Sequence, residues 1–465
     1  MRSVNSANFP LINDHRNVGI SSSVTGTQEK WGFAEFFVIS QTALPALLYL
    51  PGSQILRVPI RISAFAISLL ALGWWLINRR RTPQPYPARL LLSLAMIWTA
   101  LMILHPTTNS LVSGGAHAML YLAVVSPIFW APLVVRSPRQ LKRLLIILFS
   151  CNAINSMVGV LQVYDPKTWM PSSISYTFET DVFRGLHLTY TSASGAIVFR
   201  PPGLFDTPGA VWAAGMIAAL LGFIFLLSRF VLWVRFLAGA MALAGVIAVY
   251  LSHVRSAFVV MLGMVVVYMV VLIFVQKQVK RGLAFIGLAT LFLSLAFTFS
   301  ITLGGKETAE RVLSLISYDP VKEYDKQRGR MVTYALWEQL PQYPIGAGLG
   351  RWGTIRYYFA DLTNRTSSEV FAEIQIPAWI IDGGLPLLVL YVMALVASTL
   401  YQLQIAKKAK DTDLRFCAAI IVAVNLGVSL MIFSYVLFCT QIGMQYWFLA
   451  GALHGVWQTQ QCEQR

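Results

Sequence analysis

The chain has 465 residues, of which 56% are hydrophobic and only 12% are charged, and its formal net charge is +16. A soluble domain usually has about 25% charged residues, so this composition excludes a water-soluble protein of this length. We therefore predict an all-α polytopic membrane protein. The four cysteines show neither a C-x-x-C spacing nor a Cys/His pattern, so they indicate neither a metal site nor a disulfide framework.

Apolar segments recur along the chain after a polar tail. Residues 1–31 are rich in Ser, Asn and Thr and lack the apolar core of a secretory signal, so we expect a disordered cytoplasmic tail. Each later run is long enough to cross about 30 Å of hydrocarbon as a helix. The predicted spans, about twelve in number, lie near residues 32–50, 58–78, 87–105, 113–135, 144–163, 210–228, 233–251, 256–276, 282–303, 374–404, 414–435 and 439–458.

Basic residues determine the predicted orientation. They concentrate in the connections after spans two, four, eight and ten, which all lie on one side of the membrane. Because cytoplasmic loops carry an excess of Lys and Arg, we predict that both termini are cytoplasmic. The N-terminal tail, the inner loops and the C-terminus together account for the positive excess, so the net charge indicates topology and no nucleic-acid partner.

Two long connections then lie on the periplasmic side, at residues 164–209 and 304–373. They separate an N-terminal transmembrane bundle at 32–163, central helices at 210–303 and C-terminal helices at 374–465. Long loops in compact proteins are usually functional. We therefore expect the site on this face, with the second loop as the catalytic one.

The first long loop ends in the run I-V-F-R-P-P-G-L-F-D-T-P-G-A-V-W, residues 197–212. Its prolines and glycines turn and stiffen the backbone, which should hold Arg200 and Asp206 at the outer mouth of span six. An interfacial turn whose arginine reaches a lipid phosphate is the open alternative.

The turn between spans seven and eight is very short, with the sequence Y-L-S-H-V-R-S-A-F. It places His253 and Arg255 at membrane depth, where an ionisable side chain costs at least about 2.5 kcal/mol and indicates a function. Two such residues, with Ser252 and Ser256 beside them, favour an anion site over a pair of interfacial anchors.

The second long loop contains a predicted helix from Arg330 to Leu340. Arg330 is expected in its first turn, where free backbone amides would help it to bind phosphate. The run I-G-A-G-L-G-R-W at residues 345–352 follows. It is not a dinucleotide fingerprint, because neither a preceding strand nor the required acidic residue accompanies it. We predict a tight backbone turn that lets another group approach closely.

Glu373 and Asp382 flank the start of span ten. Nine residues apart on a helix, they would be half a turn out of phase, so they do not form a paired acid/base face. A carboxylate opposite several arginines can act as a general base, because the arginines keep it ionised while it collects a proton from a hydroxyl. A structural Arg–carboxylate bridge is the open alternative.

Several of these motifs, in this order, resemble segments of the O-antigen ligase and O-antigen polymerase superfamily of bacterial inner-membrane glycosyltransferases. They are the R-P-P-G-L-F-D-T-P-G stretch from Arg200, the S-H-V-R-S-A-F turn, the run from Arg330 to Gly350, and the acidic residue and glycine, Asp382 and Gly384, at the start of the following span. One position departs from the family. Its ligases have a His in an H-N-x(7)-E-x-G pattern, and Glu373 stands at that position here, which favours a polymerase.

The resemblance implies an inverting, metal-independent glycosyltransferase without a cofactor, acting on the periplasmic face of the inner membrane. It would polymerise undecaprenyl-pyrophosphate-linked repeat units of an O-antigen or exopolysaccharide. The implied partners are this lipid-linked glycan, an acceptor glycan, membrane lipid, and the chain-length regulator and flippase of the same pathway.

The implied residue roles follow the same match. Arg200, Arg255 and Arg330 would neutralise the pyrophosphate, because guanidinium groups bind phosphates bidentately, and Glu373 would deprotonate the acceptor hydroxyl. For Trp337, which could stack on a sugar, an interfacial aromatic belt is the alternative. The remaining substrate-binding candidates are Asp206, His253, Trp337 and Arg351.

Other functions remain open. An O-antigen ligase would transfer the glycan to lipid A-core. A flippase or transporter predicts charges near the midplane and repeated halves, whereas the charges here cluster at the outer ends, apart from Glu35 and Arg61, without an internal repeat. A C-type glycosyltransferase of another lineage would carry an acidic metal-binding motif in its first outer loop, and residues 51–57 have none. The basic outer turns disfavour a non-enzymatic assembly subunit.

Overall fold

The computed structural model describes residues 31–78, 84–170, 188–191, 195, 197–205, 207–317, 319, 322, 324–361, 363–364 and 369–463. The predicted cytoplasmic tail, except for Trp31, lies outside these residues, as do most of the first long loop and Asp206. The predictions made for those positions therefore stay predictions.

The first half of the described chain is mainly helical. Its helices are α1 Phe33–Thr42, α2 Arg57–Ile77, α3 Arg89–Leu101, α4 Leu111–Val125, α5 Pro127–Val134, α6 Pro138–Tyr164 and the one-turn α7 Pro166–Trp169. Short 3-10 helices lie at Leu44–Tyr49, Ser53–Leu56 and Met102–Leu104. A small antiparallel hairpin follows, in which β1 Thr189–Thr191 pairs with β2 Ile197–Phe199.

The second half continues with helices. They are α8 Val211–Leu226, α9 Leu232–Leu251, α10 Arg255–Val270 with a π-helical turn Val271–Val275, and α11 Val279–Ser317 with a kink at Gly305. Residues 325–342 form one helical run, α12, in which π-helical and α-helical turns alternate. The last helices are α13 Gly353–Phe359, α14 Gln375–Lys408, α15 Thr412–Leu430 with a 3-10 turn Met431–Phe433, and α16 Gln441–Glu463.

Among the described residues, eight helical segments are long and apolar enough to cross a membrane, which is consistent with a membrane location. They are Arg57–Ile77, Leu111–Val134, Pro138–Tyr164, Leu232–Leu251, Arg255–Val275, Val279–Gly305, Gln375–Lys408 and Thr412–Phe433.

Four of the predicted spans differ from this description. The first is interrupted after Thr42, those at Arg89–Leu104 and Val211–Leu226 are shorter, and α16 is long but less apolar. The number of twelve and the side on which each loop lies therefore stay predictions.

Small residues bring α8 and α9 together. A Cβ atom on Gly215 would lie 2.7 Å from the carbonyl oxygen of Gly245, and one on Gly222 would lie 2.7 Å from that of Ala238. The two backbones are therefore in contact, as small residues allow in membrane helix pairs. This packing fixes the start of α8, to which the turn with Arg200 is attached.

Candidate functional site

The turn that follows β2 is held by side chains of α6. The amide of Leu204 donates to Asn155 Oδ1 at 2.7 Å. Gly203 donates its amide to Gln162 Oε1 at 2.9 Å and accepts from Gln162 Nε2 at 2.8 Å. Arg200 stands at the start of this turn, so its backbone has a fixed position beside α8.

Tyr435, in the connection between α15 and α16, lies among charged and aromatic groups from separate parts of the chain. Its ring stacks on Trp212, with centroids 5.0 Å apart, and the Cζ atom of Arg328 lies 5.9 Å from its centroid. The side chain of Ser256 is within hydrogen-bonding reach. Burial raises the pKa of Tyr435, while the nearby charges of Arg200 and Arg328 act to lower it.

Glu373 completes this group, which we call the Tyr435 cluster: Arg200, Trp212, Ser256, Arg328, Glu373 and Tyr435. Glu373 precedes α14 and forms an ion pair with Arg328, whose Nη1 lies 2.6 Å from Glu373 Oε2. The two side chains are 40% and 26% exposed, so a ligand can reach both of them. Cations beside a carboxylate can hold an anion while the carboxylate accepts a proton.

The helix that contains Arg330 begins earlier than predicted. Residues 325–329 are already helical, and the amide of Arg330 donates to the carbonyl of Asp325. The expectation that Arg330 lies in a first turn with free amides is therefore wrong. Arg328 is the arginine that contacts Glu373. Arg330 is two residues further, which places it on roughly the opposite side of the helix, and it is exposed.

The short turn with the two ionisable residues borders the Tyr435 cluster. Helix α9 ends at Leu251 and α10 begins at Arg255, as the sequence predicts. His253 is 6% exposed and has a φ of +57°, a left-handed conformation that is uncommon for a residue with a side chain. Arg255 is half-buried and directly precedes Ser256, which reaches Tyr435.

The G-x-G-x-G run packs against other backbone segments. Gly346, Gly348 and Gly350 have φ values of +110°, +82° and +74°. A Cβ atom on Gly348 would lie 2.6 Å from the amide nitrogen of Thr108, in the connection before α4, and the amide of Leu349 donates to Thr108 Oγ1 at 3.0 Å. The predicted tight turn with a close approach is confirmed, and the group that approaches is the protein's own backbone.

The side chain of Arg351 makes its contacts within and next to this glycine loop. The side chain is only 4% exposed, and its Nη1 donates to the carbonyl of Ala347 at 2.8 Å and lies 3.5 Å from Thr107 Oγ1. The guanidinium group therefore closes the loop, and a role of Arg351 in substrate binding stays a prediction. Trp337, by contrast, is 77% exposed on α12 and is available to a ligand.

Asp382 is completely buried and hydrogen-bonded on both oxygens. Tyr121 donates to Oδ2 at 2.7 Å, Trp352 Nε1 donates to Oδ1 at 2.8 Å, and His117 Nε2 lies 3.5 Å from Oδ2. The amide of Gly350 donates to His117 Nδ1 at 3.3 Å, so the ring proton belongs on Nε2, facing the carboxylate. We did not predict His117 from the sequence, although an imidazole within an apolar segment was the available signal.

The two carboxylates therefore serve separate sites. Glu373 lies before α14, and the helix is broken at Gly383 and Gly384, so their relative phase on one helix does not apply. The conclusion that Glu373 and Asp382 do not form a paired acid/base face is nevertheless confirmed, because they have different partners. Asp382 joins α14 to α4, and Glu373 is the accessible carboxylate.

Within the described residues, no group of three or more His, Cys, Asp or Glu side chains could hold a metal ion. The sequence matches no protein-family model, and no curated protein is significantly similar to it. The resemblance to the O-antigen ligase and polymerase superfamily therefore stays an interpretation of the motifs.

Proposed function

We propose that the protein is a membrane glycosyltransferase that polymerises undecaprenyl-pyrophosphate-linked repeat units of an O-antigen or exopolysaccharide on the periplasmic face. The observation that carries this proposal is the accessible ion pair of Arg328 and Glu373 beside Tyr435, with Arg200 close enough to act on the same phenol. It combines phosphate-binding cations with a proton acceptor at one end of apolar helices. A lipid-linked pyrophosphate would present its head group at such a place.

In the proposed reaction Arg200 and Arg328 bind the pyrophosphate of the donor. A guanidinium group has five N–H donors in a planar fork, so Arg328 can hold Glu373 and a phosphate oxygen together. Glu373 accepts the proton of the acceptor hydroxyl while the hydroxyl oxygen attacks the anomeric carbon from the face opposite the pyrophosphate. The configuration at that carbon is inverted.

The leaving group explains why cations are needed. The bond between the anomeric carbon and the pyrophosphate oxygen breaks, and the lipid pyrophosphate departs with both electrons of that bond and one additional negative charge. Fixed positive groups stabilise charge that develops in the transition state. Arg255, in the bordering turn, would extend the cationic region, and His253 beside it could donate a hydrogen bond to a phosphate oxygen. The exposed ring of Trp337 would stack on a sugar of the acceptor.

Chain-length analysis of the surface polysaccharide in the native host tests the proposal. Arg328→Gln and Glu373→Gln should leave single lipid-linked repeat units without a ladder. Loss of the general base Glu373 lowers the rate by about 10²–10⁴-fold, and loss of Arg328 removes a cation that stabilises the departing pyrophosphate. Lys322→Gln and Glu338→Gln remove the same charges from exposed positions of the same loop and should keep the ladder. Wild-type ladders from both site variants, at equal amounts of protein in the membrane, would contradict the proposal.

The same experiment separates the alternatives. Long lipid-linked chains that never reach their acceptor would indicate a ligase, and repeat units trapped on the cytoplasmic face would indicate a flippase.

Arg330→Gln tests whether Arg328 or Arg330 is the arginine of α12 that binds the pyrophosphate. It should shorten the chains less than Arg328→Gln does, because Arg330 points away from Glu373.

A further inference from the structure

A second polar site lies at the other ends of the helices that form the Tyr435 cluster. Helix α8 begins next to the turn of Arg200, α10 begins next to Ser256, and α14 begins next to Glu373. The far ends of α8 and α10, Lys410 just beyond the end of α14, and the starts of α6, α11 and α15 line a cavity of about 420 Å³. Helix α15 has 19 residues and is therefore about 28 Å long, so the cavity is far from the Tyr435 cluster.

The lining of this cavity is strongly basic. Five cationic side chains line it together with a single carboxylate, that of Asp413, which is an excess of four positive charges. Asp413 Oδ1 is already 3.3 Å from the Nζ atom of Lys142. Since like charges brought together repel one another, an anionic ligand would stabilise the arrangement. The five cationic residues are Lys142, Arg229, Arg281, Lys410 and Arg415.

One of these cations has an unused donor. Arg415 donates from Nη2 to the carbonyl of Gln276 at 2.7 Å, and Gln276 Nε2 donates back to the carbonyl of Arg415 at 2.8 Å. This reciprocal pair fixes the guanidinium group between α10 and α15. Its Nε atom is buried and has no acceptor among the described residues. A buried donor without an acceptor costs free energy, so an acceptor atom of a ligand that hydrogen-bonds to Arg415 Nε would stabilise the site.

The rest of the wall is apolar. Ile224, Leu227, Leu272 and Phe285 line the same cavity and belong to the ends of apolar helices or to the residues next to them. A small inorganic anion would pair with the cations and leave this wall against water. A ligand with a phosphate group and a hydrocarbon chain would cover both parts.

We propose that this cavity binds the head group of an anionic membrane phospholipid. The phosphate contacts the cations, with an oxygen accepting from Arg415 Nε, and the first part of an acyl chain lies along the apolar wall. Basic pockets between helices at the cytoplasmic membrane surface recognise anionic lipid head groups in this way. The proposal is independent of the chemistry at the Tyr435 cluster.

Lipid titration of the purified full chain in a neutral detergent tests this proposal, with bound lipids counted by native mass spectrometry. Phosphatidylglycerol should bind at one preferred site, and zwitterionic phosphatidylcholine should not. Arg229→Gln combined with Arg281→Gln should weaken that binding about 30-fold, which corresponds to about 1 kcal/mol for each charge. Both residues are exposed, and Lys410→Gln, also exposed, provides a second variant that leaves the packed core unchanged.

A matched double variant is the control. Lys407→Gln with Lys408→Gln removes two exposed charges at the end of α14 that do not line the cavity, and it should change the affinity by less than about threefold. Equal losses from the two double variants would overturn the proposal. It would also be overturned if millimolar inorganic pyrophosphate displaced the bound phosphatidylglycerol in the same mass-spectrometric titration, because the site would then take a soluble anion.

Discussion

Replacing Asp382 by asparagine tests whether the buried carboxylate has a structural role. In the native protein its oxygens accept from Trp352 and Tyr121 and face the Nε2 proton of His117. Asparagine keeps one acceptor oxygen and places an N–H donor group where the second oxygen was. Trp352 can keep its acceptor. The hydroxyl of Tyr121 and Nε2 of His117, which both approach Oδ2 in the native protein, then face the amide N–H group of the asparagine.

The expected destabilisation follows from these lost contacts. A hydrogen bond to a charged group contributes about 1.5–3 kcal/mol, and a buried donor left unpaired costs about 1–3 kcal/mol. With the two contacts at Oδ2 of Asp382 lost, the free energy of unfolding should fall by about 3–5 kcal/mol, the range for removing one partner of a buried pair. The thermal midpoint should then fall by about 5 °C or more.

Thermal unfolding of the detergent-purified protein, followed by size-exclusion chromatography of the remaining monodisperse fraction, measures this change. Asp319→Asn is the matched control. Its ion pair with Lys322 is on the surface, and such a pair contributes at most about 1 kcal/mol. If Asp382→Asn unfolded at the wild-type temperature and yet abolished polysaccharide elongation, the structural role would be wrong and the carboxylate would belong to the chemistry.

Three further predictions concern the turns and the orientation. Gly348→Ala should destabilise the protein by about 1–3 kcal/mol more than Gly353→Ala. Both glycines have a positive φ, but of the two only Gly348 has backbone atoms where a Cβ atom would lie. Equal thermal midpoints for the two variants would contradict this prediction. Asn155→Ala should reduce polysaccharide elongation, because it releases the turn that follows β2. Asn152→Ala is the control, since it removes a hydrogen bond within α6 only. The same elongation defect in both variants would contradict the role of Asn155 in holding this turn. A membrane-impermeant maleimide should label the exposed Cys462 only after spheroplasts are permeabilised. Labelling of intact spheroplasts that is lost in a Cys462→Ser variant would refute a cytoplasmic C-terminus.

Most of the helical segments could be predicted because an apolar helix satisfies its backbone hydrogen bonds within itself. The span predicted at 233–251 is the helix Leu232–Leu251, and the next begins within one residue of its predicted start. The span predicted at 32–50 failed at a local feature. Its α-helix ends at Thr42, and Pro45, which has no amide hydrogen to donate, lies in the 3-10 turn that follows.

The site was predictable in its regions but not in its contacts. The short turn at residues 252–254 and the glycine loop were expected from local patterns, and both are present. Which arginine of α12 meets Glu373 depends on where that helix begins and on how it lies against α14 and Tyr435. Two arginines separated by one residue look equivalent in sequence, and only Arg328 faces the carboxylate.

The two carboxylates at the start of α14 show the same division. Composition and spacing alone establish an apolar, helical chain with acidic residues next to a span, because these features depend on neighbours along the sequence. The fates of Glu373 and Asp382 depend on groups distant in the chain. Helix α4 and the glycine loop bring donors that enclose Asp382, while α12 brings a single guanidinium group that leaves Glu373 open to solvent. Burial and hydrogen-bond partners are properties of packing between segments, so only the tertiary structure decides which of two similar acids can meet a substrate.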